Sequence, residues 1–247
     1  MRSFAWGWLA FCLTAPLASP AQTPPATAAA ALPSKPLRHL EYQFTVDYQR
    51  NGEGHYGGIG TGGSGVSPLI AGGGRRGKLD VDILAAAKDG GLVIRASEWL
   101  FEQPRPSQAY VCAVYPDTRV ICPPELDVTD VENLVMSYLG RGFYDASVVD
   151  GAGRWQRNYS NKYVSVATGF TIEGARDANP LSISQTTQIT SLTGAFMDWK
   201  EDAQLTYDAN LEVLDTLHDV ALEKARGASS IQTITDAHLV QDSFAKP

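Results

Sequence analysis

The stretch from Tyr110 to Gly140 constrains the fold more than any other part of the 247-residue chain. Residues 110–115 and 119–122 flank a turn at Pro116-Asp117-Thr118, which predicts a tight β-hairpin. When the hairpin is centred on Asp117, Cys112 lies directly opposite Cys122. Cα atoms at such opposed positions are roughly 4.5–5.5 Å apart, so the register predicts a disulfide, with two buried free thiols as the alternative.

An amphipathic helix is predicted directly after this hairpin, from Thr129 to Leu139. Thr129 and Glu132 form a capping box at its start, and glycines at 140 and 142 stand where a left-handed C-cap is favoured. Five apolar side chains fall on one face of the helix, and we expect that face to be buried against a sheet: Val131, Leu134, Val135, Tyr138 and Leu139.

The first 36 residues differ in composition from the rest of the chain. Residues 1–21 have the features of a secretory signal peptide, namely Arg2, an apolar run over 4–17 and small residues before the expected cut. Residues 22–36 are rich in Ala and Pro and predict an extended tether. The part that follows retains two of the three cysteines, Cys112 and Cys122, as expected for one disulfide in an oxidising compartment. The sequence therefore predicts an exported protein, periplasmic or extracellular.

Alternation of apolar and polar residues recurs through 37–247 and predicts a series of half-buried strands. Clear examples lie at 42–48, 79–83, 92–101, 164–172, 181–192 and 231–240. Residues 210–227 fit either a helix or a long bulged strand, and we favour the strand because both neighbouring segments alternate as strands do. Residues 51–77 form a Gly-rich insertion that we expect to be a surface loop, because no helix follows its dinucleotide-like glycine pattern.

Because crossover helices are missing, a parallel α/β fold is excluded. The pattern predicts a single α+β domain over 37–247 that is predominantly antiparallel β. At this size the sheet should curl, so we expect a curled sheet or half-barrel of about ten strands with one amphipathic helix packed on it.

The charge balance limits the possible partners. The chain has 27 acidic and 20 basic residues, for a net charge of −7. A nucleic-acid partner would need a concentrated basic face, and attachment to anionic lipid would need a basic cluster. We therefore expect neither partner. No run of about 18 apolar residues follows the leader, so no transmembrane segment is expected either.

No sequence motif for a nucleophile or a metal is present, and we expect no cofactor and no catalytic residue. The one metal arrangement to consider joins His218, Asp236 and His238. Asp236 and His238 share one face of a strand, and a final hairpin that turned near Ala228 would place His218 opposite His238. Two imidazoles and a carboxylate could then hold zinc. The alternative is a set of solvent-facing polar side chains.

Other candidates also have two interpretations. Asp80 and Asp82 could be a carboxylate pair for acid–base chemistry or the solvated side of a strand. Glu201 and Asp202 are predicted to lie in a solvated turn. Three tryptophans could line a sugar or lipid site or pack in the core: Trp99, Trp155 and Trp199.

Two resemblances add to this interpretation. The layout of long strands around one mid-chain helix resembles the half-barrel carriers of lipoproteins and lipoglycans in the bacterial periplasm. The chain is also similar to uncharacterised exported bacterial proteins with a Gly-rich loop after the first strand, the two halves of the cysteine hairpin and a closing Asp-Ser-Phe-Ala-Lys-Pro at 242–247. The carrier resemblance implies that a concave sheet face binds acyl chains. The cysteine hairpin and the Gly-rich insertion depart from the carrier pattern.

Three functional hypotheses follow. The first is a non-enzymatic exported module that carries a lipid or another apolar small molecule in the concavity of the sheet. The second is a structural or protein-interaction domain of the cell envelope. The third is a metal-dependent hydrolase that uses His218, Asp236 and His238.

Overall fold

The computed structural model describes residues 35–51, 74–87, 90–107, 109–115, 120–123, 130–139, 143–160, 164–192, 198–224 and 230–244. Within these ranges the protein forms one antiparallel sheet of eleven strands that does not close on itself. A single short helix, α1 (Asp130–Met136), accompanies the sheet in the described ranges. The predicted α+β fold with a predominantly antiparallel sheet is confirmed. None of the described helical residues forms a helix long and apolar enough to span a membrane.

The strands follow one another along the chain with α1 between the fifth and sixth. Their bounds are β1 (Arg38–Asn51), β2 (Arg75–Ala86), β3 (Leu92–Leu100), β4 (Tyr110–Val114), β5 (Val120–Ile121), β6 (Arg154–Ser160), β7 (Val164–Glu173), β8 (Leu181–Ser191), β9 (Asp198–Asp208), β10 (Val213–Lys224) and β11 (Ser230–Asp242). The order across the sheet is β5-β4-β3-β2-β1-β11-β10-β9-β8-β7-β6.

This order consists of two meanders joined at the centre of the sheet. The first and last strands, β1 and β11, pair with each other over almost their whole length. The two edge strands are β5 and β6, and the chain passes from one edge to the other through α1. The segment around α1 must therefore cross a face of the sheet.

One face of the sheet, which we call the inner face, carries most of the hydrophobic core. The period-2 alternation places apolar side chains of every long strand on it, among them Leu40 and Tyr42 of β1, Val81 of β2, Ile183 of β8 and Leu205 of β9, and all of these are buried. The opposite face, which we call the outer face, carries the polar residues of the same strands. This division is typical of an antiparallel sheet covered on one side.

The inner face is covered by residues 130–139 and 143–149, which we call the covering segment. Its helix contacts β3, while the hydroxyl of Tyr138 donates to Gln185 Oε1 on β8 at 3.0 Å. Six strand steps separate β3 from β8, or about 29 Å in a flat sheet, whereas seven helical residues extend only about 10 Å. The sheet must therefore curl around the covering segment, as predicted.

Aromatic side chains fix the covering segment to the sheet. The ring of Phe143 makes edge contacts with four other rings, those of Tyr138, Trp155, Phe170 and Tyr207, at centroid distances of 4.9, 6.1, 5.6 and 4.9 Å. Trp155 and Phe170, opposite each other on β6 and β7, stack at 4.8 Å. Edge and offset-stacked geometries are the favoured ones for aromatic pairs, so this cluster is a well-packed part of the core.

The predicted helix is present but shorter than expected. The helix ends at Met136 and does not reach Leu139, although Tyr138 and Leu139 are still buried by the turn that follows. Val131 and Val135 are buried as predicted, whereas Leu134 is only half-buried. The expected partner in the capping box, Thr129, lies outside the described residues.

The hairpin and the ambiguous segment both follow their predictions. Ala113 pairs with Ile121, and Cys112 is disulfide-bonded to Cys122 with Cα atoms 4.4 Å apart. The segment that could have been a helix forms β10, with a bulge between Leu214 and Thr216. Residues 52–73 of the Gly-rich insertion, between β1 and β2, lie outside the described residues. The predicted signal peptide and residues 22–34 of the predicted tether also lie outside them.

Candidate functional site

The inner face changes character along the strands. Near Phe143 it is aromatic and fully buried, but towards the opposite end of the sheet it becomes polar and then partly exposed. The change occurs over three successive register rows that run across β10, β9, β8 and β7. This gradient marks the inner face as the candidate site, because it brings buried polar side chains next to a partly exposed apolar strip.

The first row contains Asp219 of β10 and Gln185 of β8, with Ala203 of β9 between them. The next row contains Glu201 of β9, Thr187 of β8 and Thr168 of β7, which we call the polar row. All of these positions face inward because they continue the alternation of buried residues such as Leu217 and Leu205. The backbone therefore presents six adjacent inward positions, five of which carry polar side chains.

A chain of hydrogen bonds connects most of these side chains. Gln185 accepts from the hydroxyl of Tyr138 and donates through Nε2 to Glu201 Oε1 at 2.7 Å and to Thr187 Oγ1 at 3.2 Å. Thr187 donates in turn to Thr168 Oγ1 at 3.3 Å. The network ties the covering segment to the polar row, and it leaves Asp219 outside.

Asp219 is the exception in this cluster. Its side chain is only 4% exposed, yet Oδ1 receives no hydrogen bond from any residue in the described ranges. Buried polar atoms in native proteins are nearly always hydrogen-bonded, and an unpartnered buried carboxylate oxygen is unfavourable. The position is therefore unlike the rest of the network, in which donors and acceptors are paired.

The electrostatics of the cluster follow from burial. Burial and the neighbouring charges of Glu201 and Asp202 raise the pKa of Asp219 to about 8. Burial also raises the pKa of Glu201, against the opposing effect of the hydrogen bond from Gln185. For Tyr138, burial and the charges of Glu201 and Asp219 move the pKa well above its ordinary value. Near neutral pH, Asp219 is thus largely a neutral carboxylic acid that can donate a proton.

A third row borders the polar row on the side away from Phe143. We call it the rim, and it consists of Trp199 on β9, Ile189 on β8, Val166 on β7 and Tyr159 on β6. Trp199 is 38% exposed and Tyr159 55% exposed, while Ile189 and Val166 are half-buried. The rim therefore offers a strip of apolar surface next to buried polar groups.

The three predicted metal candidates lie on the outer face. The pairing of β10 with β11 is centred one residue earlier than expected, so His218 lies opposite Asp236, while His238 lies opposite Thr216. The expected pairing of the two histidines is therefore wrong. His218 Nδ1 is 2.7 Å from Asp236 Oδ1, and both side chains are about half exposed.

This outer pair borders a shallow depression that His238 also lines. Within the described parts of the chain, no group of three or more His, Cys, Asp or Glu residues is arranged to hold a metal ion. The described residues therefore form a solvent-exposed His–Asp pair that spans β10 and β11.

The carboxylates of β2 also lie on the outer face. Asp82 accepts a hydrogen bond from Arg95 and lies 2.8 Å from His39 Nδ1. Burial raises the pKa of Asp82, but the interactions with Arg95 and His39 outweigh burial, so the pKa lies below its ordinary value. Asp80, its neighbour on the same face, has a raised pKa, mainly because of burial. Because Asp82 interacts with both Arg95 and His39, the pair belongs to a polar network on the outer face.

The tryptophans divide between the two faces. Trp155 is buried in the aromatic cluster, which favours its core interpretation. Trp99 is 40% exposed on the outer face, where its indole nitrogen donates to the carbonyl of Gln103. Trp199 belongs to the rim, so it alone of the three lies both on the inner face and in contact with solvent.

Sequence reasoning missed the cluster around Asp219. Glu201 was expected in a solvated turn with Asp202, but it lies inside β9 and faces inward, so that expectation is wrong. The signal was the period-2 series Trp199, Glu201, Ala203, Leu205 and Tyr207, in which a carboxylate occupies an inward position. Leu217, Asp219 and Ala221 repeat the pattern on β10.

No protein-family model matches the chain, and a search of curated proteins finds no significant sequence match. What this cluster does must therefore be argued from its own geometry and chemistry.

Proposed function

We propose that the chain is an exported, non-enzymatic binding module that takes an amphipathic, lipid-like ligand on the inner face of its curled sheet. The proposal is carried by the gradient of the inner face, from aromatic packing beneath Phe143 to the polar row and the part-exposed rim. A site of this kind combines apolar lining with a few convergent polar groups, which is the usual composition of a small-molecule site.

The covering segment supports a binding role for this face. It reaches the polar end of the inner face through Tyr138, and its helix of seven residues contacts the far side of the sheet at β3. Because this segment lies across the inner face between β3 and β8, a ligand on that face would lie between the segment and the sheet. The eleven-stranded sheet then serves as the rigid wall.

Export is supported by two independent features. The leader-like composition of residues 1–21 matches a secretory signal, and the disulfide between Cys112 and Cys122 is of a type that persists in oxidising compartments. The resemblance to periplasmic carriers of lipoproteins and lipoglycans points in the same direction, since their ligands also lie on the concave face of a half-barrel.

The test is native mass spectrometry of protein purified from a host that exports it. We expect an additional mass that extracts into organic solvent and behaves as a lipid. Bound zinc would instead favour the hydrolase. Bare protein, together with no displacement of an environment-sensitive apolar dye by the uncharged probe dodecanol, would contradict the carrier and leave the interaction domain as the better account.

A further inference from the structure

We propose that Asp219 and Glu201 form the head-group site of this carrier and select a ligand whose polar end is a primary amine. This inference rests on the proposed function and adds the chemical class of the ligand. It assigns the rim to the apolar part of the ligand and the two carboxylates to its charged end.

The first argument is the unpartnered oxygen. Asp219 is almost completely buried, and its Oδ1 accepts no hydrogen bond from the residues that the structure describes. Every other side chain of the network reaches a partner through Gln185 or Thr187. A ligand donor at Oδ1 would complete the network, as is usual for buried acceptors.

The second argument is the charge balance of the inner face. Three arginines whose side chains are described belong to this face, and each interacts with another group. Arg38 pairs with Asp242, Arg75 lies 3.6 Å from Glu98, and Arg157 donates to the carbonyl oxygen of Phe143. None of these three arginines is therefore paired with Asp219 or Glu201, and Glu201 accepts a hydrogen bond from uncharged Gln185. A cation from outside would offset their mutual repulsion.

The third argument is the match of donors to acceptors. A primary ammonium has three N–H donors and a compact charge, so it can contact Asp219 Oδ1 and the Glu201 carboxylate together. A carboxylate or phosphate head would instead add a further negative charge beside these two groups, which would disfavour its binding whenever either of them is ionised. Trp199 precedes Glu201 by two residues on the same strand face, and an aromatic residue at that neighbouring position would also favour a cation.

Proton linkage gives the site a distinctive signature. The groups that face Asp219 are Glu201 from β9 and Tyr138 from the covering segment, with uncharged Gln185 and Thr235 on β8 and β11, while Asp202 acts from the outer face. Burial and the neighbouring carboxylates keep Asp219 largely protonated near neutral pH. An ammonium at the site would favour its carboxylate form, so binding would release the Asp219 proton to solvent.

The experiment compares three probes of one chain length, dodecylamine, dodecanol and dodecanoate, in dye-displacement titrations of the full chain. We expect the amine to bind at least about tenfold more tightly than the acid, because hydrogen bonds to charged groups are the strong ones. Calorimetry in two buffers of different ionisation enthalpy should show proton release with the amine only.

Two variants locate the effect. In D219N/E201Q the preference for the amine should disappear while dodecanol binding changes by no more than about twofold. D236N alters an outer-face carboxylate on β11 and serves as the control, in which the preference for the amine should persist. If the double variant does not fold, E201Q alone is tested in its place. In that variant the preference for the amine over the acid should be reduced.

The outcomes separate this inference from the proposed function. Equal affinity for amine and acid in the wild type, or a preference that survives in D219N/E201Q, would overturn the amine site while leaving the carrier intact. Failure of all three probes to bind would overturn both.

Discussion

Asp219 and Glu201 are diagonal neighbours on adjacent strands of the inner face, since Asp219 pairs with Ala203 and Glu201 pairs with Ala221. Two carboxylates at such positions, both largely removed from water, disfavour each other's ionisation. The sheet thus maintains an unfavourable arrangement at the boundary between its packed core and its exposed rim. Arrangements that reduce stability in this way are common at functional sites.

This arrangement predicts a specific dependence of stability on pH. The folded-state pKa of Asp219 is about 8 and lies above the ordinary value of 3.8, so the folded state holds a proton that the unfolded state has lost between these values. The free energy of unfolding should therefore fall as pH rises through this window, and Asp219 should contribute about 1–3 kcal/mol of the decrease. In D219N this part of the decrease should vanish, so that the variant is the more stable protein at pH 8.

Urea unfolding of the two proteins at pH 5 and pH 8 measures the difference. If D219N were less stable than the wild type at pH 8, Asp219 would have a structural partner and the account of an unsatisfied carboxylate would be wrong.

The disulfide should stabilise the hairpin moderately. Cys112 and Cys122 close a short loop, and removing both in C112A/C122A should lower the free energy of unfolding by about 2–3 kcal/mol. Reductant should shift the urea midpoint of the wild type by a similar amount and leave the variant unchanged. Non-reducing peptide mapping of the exported protein checks the bond itself, and free thiols at both positions would refute it.

The aromatic cluster should account for most of the attachment of the covering segment. Phe143 is buried against four rings, so F143A should cost about 3–5 kcal/mol of unfolding free energy. Leu134 on α1 is only half-buried, and L134A should cost clearly less. Thermal or urea unfolding compares the two, and an equal or reversed order would show that the covering segment packs differently.

A buried ion pair joins the two central strands of the sheet where β1 begins and β11 ends. Arg38 Nε donates to Asp242 Oδ1 at 3.0 Å, linking the first residue of β1 to the last residue of β11. Burial raises the pKa of Asp242, but the hydrogen bonds from Arg38 and the backbone of Phe244 outweigh it and hold the pKa below its ordinary value. The stabilisation is therefore present above about pH 4 and is lost as pH falls through the folded-state pKa.

Removing one partner of this pair leaves the other charge buried. D242N should thus cost about 3–5 kcal/mol at pH 7 and progressively less as the pH falls through the folded-state pKa, because the wild-type carboxyl is then itself protonated. Unfolding curves at pH 7 and over a series of acidic pH values provide the measurement. A cost that did not depend on pH would indicate that shape rather than charge determines the effect.

The sequence predicted the local features well because each depends on residues close together in the chain. The register of the cysteine hairpin was predicted from the turn-forming residues 116–118, which lie outside the described residues, and the disulfide was predicted from that register. Strand faces were also predictable, because alternation with period 2 assigns each side chain to one face.

Register over longer distances was less predictable. The error in the pairing of His218 is a shift of two residues, and such a shift keeps every side chain on its own face. The hydrophobic pattern therefore could not detect it. Asp219 and Glu201 were missed for a related reason, since their proximity arises from two strands whose pairing the sequence does not specify.

The two tryptophans that are exposed in the described part of the chain provide the most direct test of where the ligand binds. Trp199 and Trp99 are 38% and 40% exposed but lie on the inner and outer faces, so their alanine variants are closely matched. In dye-displacement titrations with dodecanol, W199A should bind about tenfold more weakly than the wild type, whereas W99A should bind as the wild type does. Equal affinities in all three proteins, or a loss confined to W99A, would contradict a ligand site on the inner face.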